Sequence, residues 1–267
     1  MSVTLLRDDL ETAATTLAAA GFAAIEVHLS HLGPGLPSSP ISEGHAAAVG
    51  EMLRRRGLVV STLNAVADET FDPFGGPAAM EATVDALALQ LRLAHAMGSP
   101  RLLIWEGVAD AAAVDKAPEL LARCLDRART RSGVVDPPAF SVECHPFTWG
   151  LEFHRLPELA LLLGGVGSGI CLDFCHFALG LGPRFIEALD PETLAAVNHL
   201  HYADTDAITP QLHFPPGRGV LDFDRIAKHL RGRGLAAAWD LFGWPGPRET
   251  VAKYLGDYSS FVDAINR

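Results

Sequence analysis

The chain has 267 residues, 49% of them hydrophobic and 20% charged, which excludes a disordered chain and supplies enough apolar surface for a core without disulfides or a structural metal. A formal charge of −11 argues against nucleic acid and against an anionic membrane as partners, because both demand a basic face. Cys124, Cys144, Cys171 and Cys175 form no CxxC pair and are expected to be buried thiols in a reducing cytoplasm. The N-terminus turns polar at Arg7, and no 18-residue window is uninterruptedly apolar, so neither a signal peptide nor a transmembrane helix is expected.

Taken in chain order, short apolar runs alternate with longer amphipathic stretches. A weak strand over Val3–Leu6 precedes a helix over Asp8–Ala20. Strand Ala23–Val27 leads to helix Glu43–Arg56, and strand Leu58–Leu63 to helix Ala79–Met97. Strand Arg101–Trp105 leads to helix Val114–Ser132, and strand Phe140–Glu143 to helix Pro157–Leu163. Strand Gly169–Asp173, helix Pro191–Val197, strand Asn198–Ala203, helix Asp222–Arg233 and strand Ala236–Phe242 complete the series. Gly21, Gly57, Gly98 and Gly234 lead from helix to strand, which suits a left-handed C-terminal cap.

Strands that are apolar nearly throughout, each followed by a helix, predict a parallel sheet covered on both faces. Eight such units of about 33 residues match a (β/α)8 TIM barrel, which takes about 250 residues. No linker divides the chain, so the expectation is α/β, a single domain over 1–267, with a short or frayed first strand. An open doubly wound sheet is the competitor, but no GxGxxG follows the first strand to support it.

In such a barrel the chemistry sits where strands end. The strand ends carry Trp105 and Glu106, then Glu143 in VECHPF, Asp173 in CLDFCH with His176 after it, His199 and His201 in HLHYADTD, and Asp240 in AWDLFG. Four successive strands thus end in a carboxylate or an imidazole, about one strand–helix unit apart. Three carboxylates converging on one mouth repel one another unless a cation sits among them. Oxygen-rich ligation with one imidazole predicts one divalent metal ion on Glu143, Asp173, His201 and Asp240, with Mn²⁺ placed first and Mg²⁺, Co²⁺ or Zn²⁺ as alternatives. His201 is read as facing the barrel interior and His199 as a packed structural histidine facing the helices. His28, His31, His45, His95 and His229 are isolated and are read as surface or core groups.

The motifs GFAAIEV, VECHPF, LDFCH, HLHYADTD with PPGRGVLDF, and AAAWDLF resemble the sugar isomerase-like TIM barrel superfamily over nearly the whole chain. That superfamily includes sugar-phosphate isomerases, ketose 3-epimerases and endonuclease IV relatives. The resemblance implies the same four metal ligands, a substrate-contacting His176, and a His213 that matches an additional ligand in the endonuclease relatives. It also marks two departures. Asp240 stands where the family usually carries Glu, and Ala207 stands near the place of an arginine that clamps a substrate oxygen; Arg218 is a candidate substitute.

The expected activity is metal-dependent isomerisation or epimerisation of a sugar, polyol or keto-sugar through an enediolate, with Glu143 and Asp240 as the catalytic pair. The alternative is a metal-dependent dehydratase or lyase on a keto-polyol or keto-glycoside. His176, Glu106, Trp105, His145, Trp149, His213 and Arg218 are the expected substrate contacts, with Phe147 as a further wall. The expected partner is a small molecule in the cytoplasm, with no nucleic acid and no membrane; homo-oligomerisation is left open.

Overall fold

A computed structural model describes residues 9–33, 41–65, 71–151, 155–210, 212–245 and 247–267. The expected strand Val3–Leu6 lies outside the described residues. Among the described residues, seven parallel strands pair strictly in sequence order: β1 (Ala24–His28), β2 (Val59–Asn64), β3 (Arg101–Trp105), β4 (Ala139–Glu143), β5 (Gly169–Asp173), β6 (Val197–Tyr202) and β7 (Ala236–Trp239). They form a nearly closed barrel with a seam between β1 and β7.

Helices cover the outside: α1 (Leu10–Ala19), α2 (Glu43–Arg55), α3 (Pro77–Met97), α4 (Ala117–Ser132), α5 (Leu156–Gly165), α6 (Phe174–Leu181), α7 (Phe185–Ala188), α8 (Pro191–Ala196), α9 (Phe223–Leu230) and α10 (Pro247–Asn266). Outward-facing strand residues such as Val27, Leu102, Phe140, Val142, Ile170 and Leu200 are fully buried beneath them. This double coverage explains why the strands read as apolar throughout. At the end of α3, Gly98 takes φ 83°, the left-handed conformation that closes a helix cheaply only with glycine. On α2, Gly50 allows a close helix contact, because a Cβ there would meet the Met97 carbonyl oxygen at 2.2 Å.

Three helices were not legible as such. The α6 run FCHFALGL is apolar on every side, so it lacks the stripe that marks a surface helix. α7 spans only four residues. α10 runs from Pro247, where no helix was expected, and brings Phe261 into an aromatic cluster with Phe174, Tyr202 and Phe223 at centroid distances of 5.7, 4.7 and 6.0 Å. The last strand stops at Trp239, so Asp240 sits just beyond it, tied by its amide to the Tyr202 carbonyl at 3.1 Å.

The register fixes what the lumen sees. Trp105 pairs with Glu143, Glu143 with Cys171, Cys171 with His199, and Asp173 with His201. Side chains two residues apart on a strand share a face, so Glu26 and His28 of β1 also belong to the inner surface, opposite Thr62 and Asn64 of β2. All four cysteines are free and buried. Among the described residues, no helix is long and apolar enough to cross a membrane.

Candidate active site

Three carboxylates, two ending β4 and β5 and one just beyond β7, surround one ring nitrogen. His201 Nδ1 lies 2.8 Å from Glu143 Oε1, 3.4 Å from Asp173 Oδ2 and 3.8 Å from Asp240 Oδ2. Asp173 is placed twice over. It ends β5 and caps α6, its Oδ1 accepting the amides of Cys175 at 2.8 Å and His176 at 2.9 Å. Its Oδ2 is left buried, with no hydrogen-bond partner among the described residues.

The back of the His201 ring meets a residue that sequence reasoning missed. Glu26, completely buried, places Oε2 3.1 Å from His201 Nε2 and 3.0 Å from His199 Nε2, while its Oε1 accepts from Asn64 Nδ2 at 3.1 Å. The available signal was a single carboxylate inside the apolar run AAIEV. His199 does not face the helices. It is two residues from His201, so both rings enter the lumen, with centroids 5.4 Å apart.

Other expected residues gather at the mouth in unequal ways. His176 Nε2 stands 4.0 Å from Glu143 Oε1, and its ring lies 4.4 Å from that of His145 and 5.4 Å from that of His213. His213 Nδ1 is 3.1 Å from Asp240 Oδ2, off the line a hydrogen bond needs, and both ring nitrogens lack hydrogen-bond partners among the described residues. Trp105 packs edge-to-face with His145 at 5.8 Å, and its buried indole N–H has no hydrogen-bond partner among the described residues.

Glu106 is fully enclosed beneath His145. Its oxygens take the His145 amide at 2.7 Å, His145 Nδ1 at 3.1 Å and the Thr148 hydroxyl, so it reaches the mouth through His145. Trp149 is 4% exposed and packs edge-on against Phe74 at 5.8 Å. Arg218 lies exposed in the PPGRG turn, and Phe147 is 60% exposed. His28, the last residue of β1, and His31, just past it, form an edge-to-face pair 6.2 Å apart.

A sequence family described as the xylose isomerase-like TIM barrel matches residues 14–254. The chain belongs to this family. No curated protein matches its sequence. Among solved structures, the barrel resembles endonuclease IV from Thermus thermophilus with 18% identity and a TM-score of 0.71, covering 98% of this chain and 97% of that one. A D-tagatose 3-epimerase-like protein gives 16% identity and a TM-score of 0.73 over 100% and 97% of the two chains. The probable 3-DHS dehydratase AsbF from Bacillus anthracis gives 13% identity and a TM-score of 0.74 over 97% of each chain. At these identities the likeness is one of fold.

The donor set of this xylose isomerase-like barrel fits a divalent ion. Asp173, His201 and Asp240 bring ligand atoms within 4.8 Å of one another, and so do Glu143, Asp173 and His176. Ligands bound at about 2.1 Å and roughly right-angle or tetrahedral spacing lie ~3–3.4 Å apart, near the distances around His201 Nδ1. The unpartnered Asp173 Oδ2 is the kind of buried acceptor such an ion satisfies.

The charges fit the same picture. Burial works against a charged His201, but the carboxylates of Glu26 and Glu143 hold its proton well above the ordinary histidine range; the buried Cys171 thiol, itself pushed well up, stays neutral beside it. Burial pushes Glu143 upward, and the His201 charge overrides this and keeps it ionised. His213 is pushed up to about 9, against burial, by Asp173 and Asp240. His145 is likewise pushed up to about 9, against burial, by its bond to Glu106. Burial lowers His176, helped by the neighbouring His145 and His213 and opposed by Asp173 and Glu143.

Proposed function

We propose that this protein is a divalent-metal-dependent enzyme that moves a proton next to the carbonyl of a small sugar, polyol or keto-sugar, isomerising or epimerising it. The observation that carries the reading is the ring of three carboxylate oxygens around His201 Nδ1 at 2.8, 3.4 and 3.8 Å. Glu143, Asp173, His201 and Asp240 would hold the ion. When bound, it polarises the carbonyl and stabilises the negative oxygen that proton removal creates.

Glu143, at 2.8 Å from His201 Nδ1 and facing the mouth, takes the proton from the substrate carbon. Asp240 returns it, on the opposite face for epimerisation or at the neighbouring atom for isomerisation. His176, held close to Glu143, donates to a substrate oxygen. His145, backed by Glu106, stands one ring further out and orients the next oxygen. Trp105 supplies apolar surface and an indole N–H that has no partner among the described residues. The partner is a small molecule, because a chain of charge −11 repels a phosphate backbone.

One observation favours elimination as a second reading. His213 adjoins Asp240 at 3.1 Å and holds a proton through neutral pH. After Glu143 has taken the α-proton, the electron pair left on carbon expels a β-hydroxyl, and His213 gives that oxygen its proton, releasing water. A panel of ketoses, keto-polyols and keto-glycosides in D₂O separates the two. Deuterium incorporation without loss of water supports isomerisation or epimerisation, and an unsaturated product supports elimination. Protein purified without chelator should carry about one equivalent of a divalent ion; protein that takes up none sinks both.

A further inference from the structure

The three carboxylates explain one side of His201. The other side is occupied by Glu26, on the strand that borders the seam. Glu26 is completely buried and makes three polar contacts, each from a side-chain nitrogen: His199 Nε2 at 3.0 Å, His201 Nε2 at 3.1 Å and Asn64 Nδ2 at 3.1 Å. Three strands, β1, β2 and β6, contribute to this knot.

From this geometry we infer that Glu26 is the positioning residue of the metal centre, holding His201 with its proton on Nε2 so that Nδ1 faces Glu143, Asp173 and Asp240. The inference rests on the metal-dependent reading above and adds a residue to it that touches neither ion nor substrate.

The argument is one of donors and acceptors. An ionised carboxylate only accepts hydrogen bonds, so both imidazoles must present N–H to Glu26 Oε2. A neutral imidazole with its hydrogen on Nε2 has its lone pair on Nδ1. Nδ1, which without an ion gives its hydrogen to Glu143 at 2.8 Å and faces the other two carboxylates at 3.4 and 3.8 Å, is therefore the nitrogen that exchanges a proton for the metal, while Nε2 keeps its own. Asn64 occupies the second oxygen of Glu26 and stops the carboxylate from turning away.

His199 completes the brace. Its Nε2 is shared between Glu26 and Thr62 Oγ1, at 3.0 and 3.4 Å, and its Nδ1 is buried with no hydrogen-bond partner among the described residues. That is the pattern of a ring whose only hydrogen is on Nε2, the form that Glu26 requires. A carboxylate behind a ligating histidine is worth ~10–100-fold in metal affinity.

The test is zinc affinity measured by competition with a chromogenic chelator on the full chain, for wild type, E26A and E26Q. The amide oxygen that E26Q introduces accepts the same N–H groups once the Asn64 amide turns over, so E26Q should stay within about tenfold of wild type, the lower end of what a lost outer partner costs. E26A should lose ~10–100-fold. A second readout is long-range ¹H–¹⁵N NMR of histidine-labelled, zinc-loaded protein. It should show the His201 proton on Nε2 and the metal on Nδ1 in wild type and E26Q.

Equal zinc affinity for E26A and wild type would overturn the inference while leaving the metal-dependent reading intact. So would a wild-type His201 with its proton on Nδ1, and this holds even if E26A does not fold. A wild-type chain that takes up no divalent ion overturns the metal-dependent reading first, and the role of Glu26 with it.

Discussion

Glu106 lies directly under His145, with Oε2 3.1 Å from the ring Nδ1 and Oε1 2.7 Å from the backbone amide of the same residue. One carboxylate thus fixes both the ring and the chain that carries it. The fit is close: a Cβ added to Gly150 would meet Glu106 Cγ at 2.9 Å. Desolvation raises the Glu106 carboxyl, and His145 offsets this by donating to it.

Removing that carboxylate should be costly. E106A leaves the His145 amide and ring N–H without their acceptor in a closed space, while the Thr148 hydroxyl keeps the His145 carbonyl. A loss of about 3–5 kcal/mol is expected from chemical denaturation, and E106Q should lose less because the shape is kept. E106A within about 1 kcal/mol of wild type, the net worth of one ordinary hydrogen bond, would show that water replaces the carboxylate.

The pH dependence of metal-free stability has a defined sign. His145 and His213 are both raised to about 9 in the folded chain, against an ordinary value of 6.5. The folded state therefore holds protons that the unfolded state gives up. The stabilisation is fully present below about pH 6.5 and is lost as pH rises through about 9. With chelator present, the urea midpoint should fall between about pH 7 and pH 10, and H145N and H213N should each flatten the fall. A wild-type midpoint that is level or rising over that range would refute the assignment.

E143Q keeps the size of the side chain and removes its basicity. Exchange of the substrate α-proton with solvent deuterium should drop by at least the ~10²–10⁴-fold associated with a general base. Metal should still bind, because Asp173, His201 and Asp240 remain together. Exchange at the wild-type rate would move the base role to another residue.

Asp240 stands where its apparent family usually carries Glu, and it is spoken for on two sides. Its Oδ2 is 3.1 Å from His213 Nδ1 and 3.8 Å from His201 Nδ1. Glu at this position reaches roughly 1.5 Å further, one C–C bond length. The carboxylate would then crowd His201 or push His213 aside. D240E should retain the ion yet lose on the order of 100-fold in turnover of the native substrate, the cost of a displacement of about 1 Å. Wild-type turnover by D240E would show that the shorter side chain has no bearing on the pocket.

The fold class and the carboxylate set were legible in the primary structure for a local reason. Apolar strands, glycine at helix ends and acidic groups at strand ends are patterns within one strand–helix unit, and the barrel repeats that unit. Glu143, Asp173, His201 and Asp240 could be picked because each lies at or beside the end of its own strand. The pairing of Glu26 with His201 spans 175 residues of chain and depends on a nearly closed barrel bringing β1 toward β6. Nothing local marks Glu26 except one charge in an apolar run, and burial of that charge makes sense only beside its three donors. The same holds for Glu106, which reads as a mouth residue from its strand end and proves to be a support from its depth. Periodicity assigns faces, and residues two apart on β6 put His199 with His201. Which side chain lies behind which, and which oxygen is already taken, is decided by packing across the lumen, because hydrogen bonds in a low-dielectric interior are exclusive and must be counted in three dimensions.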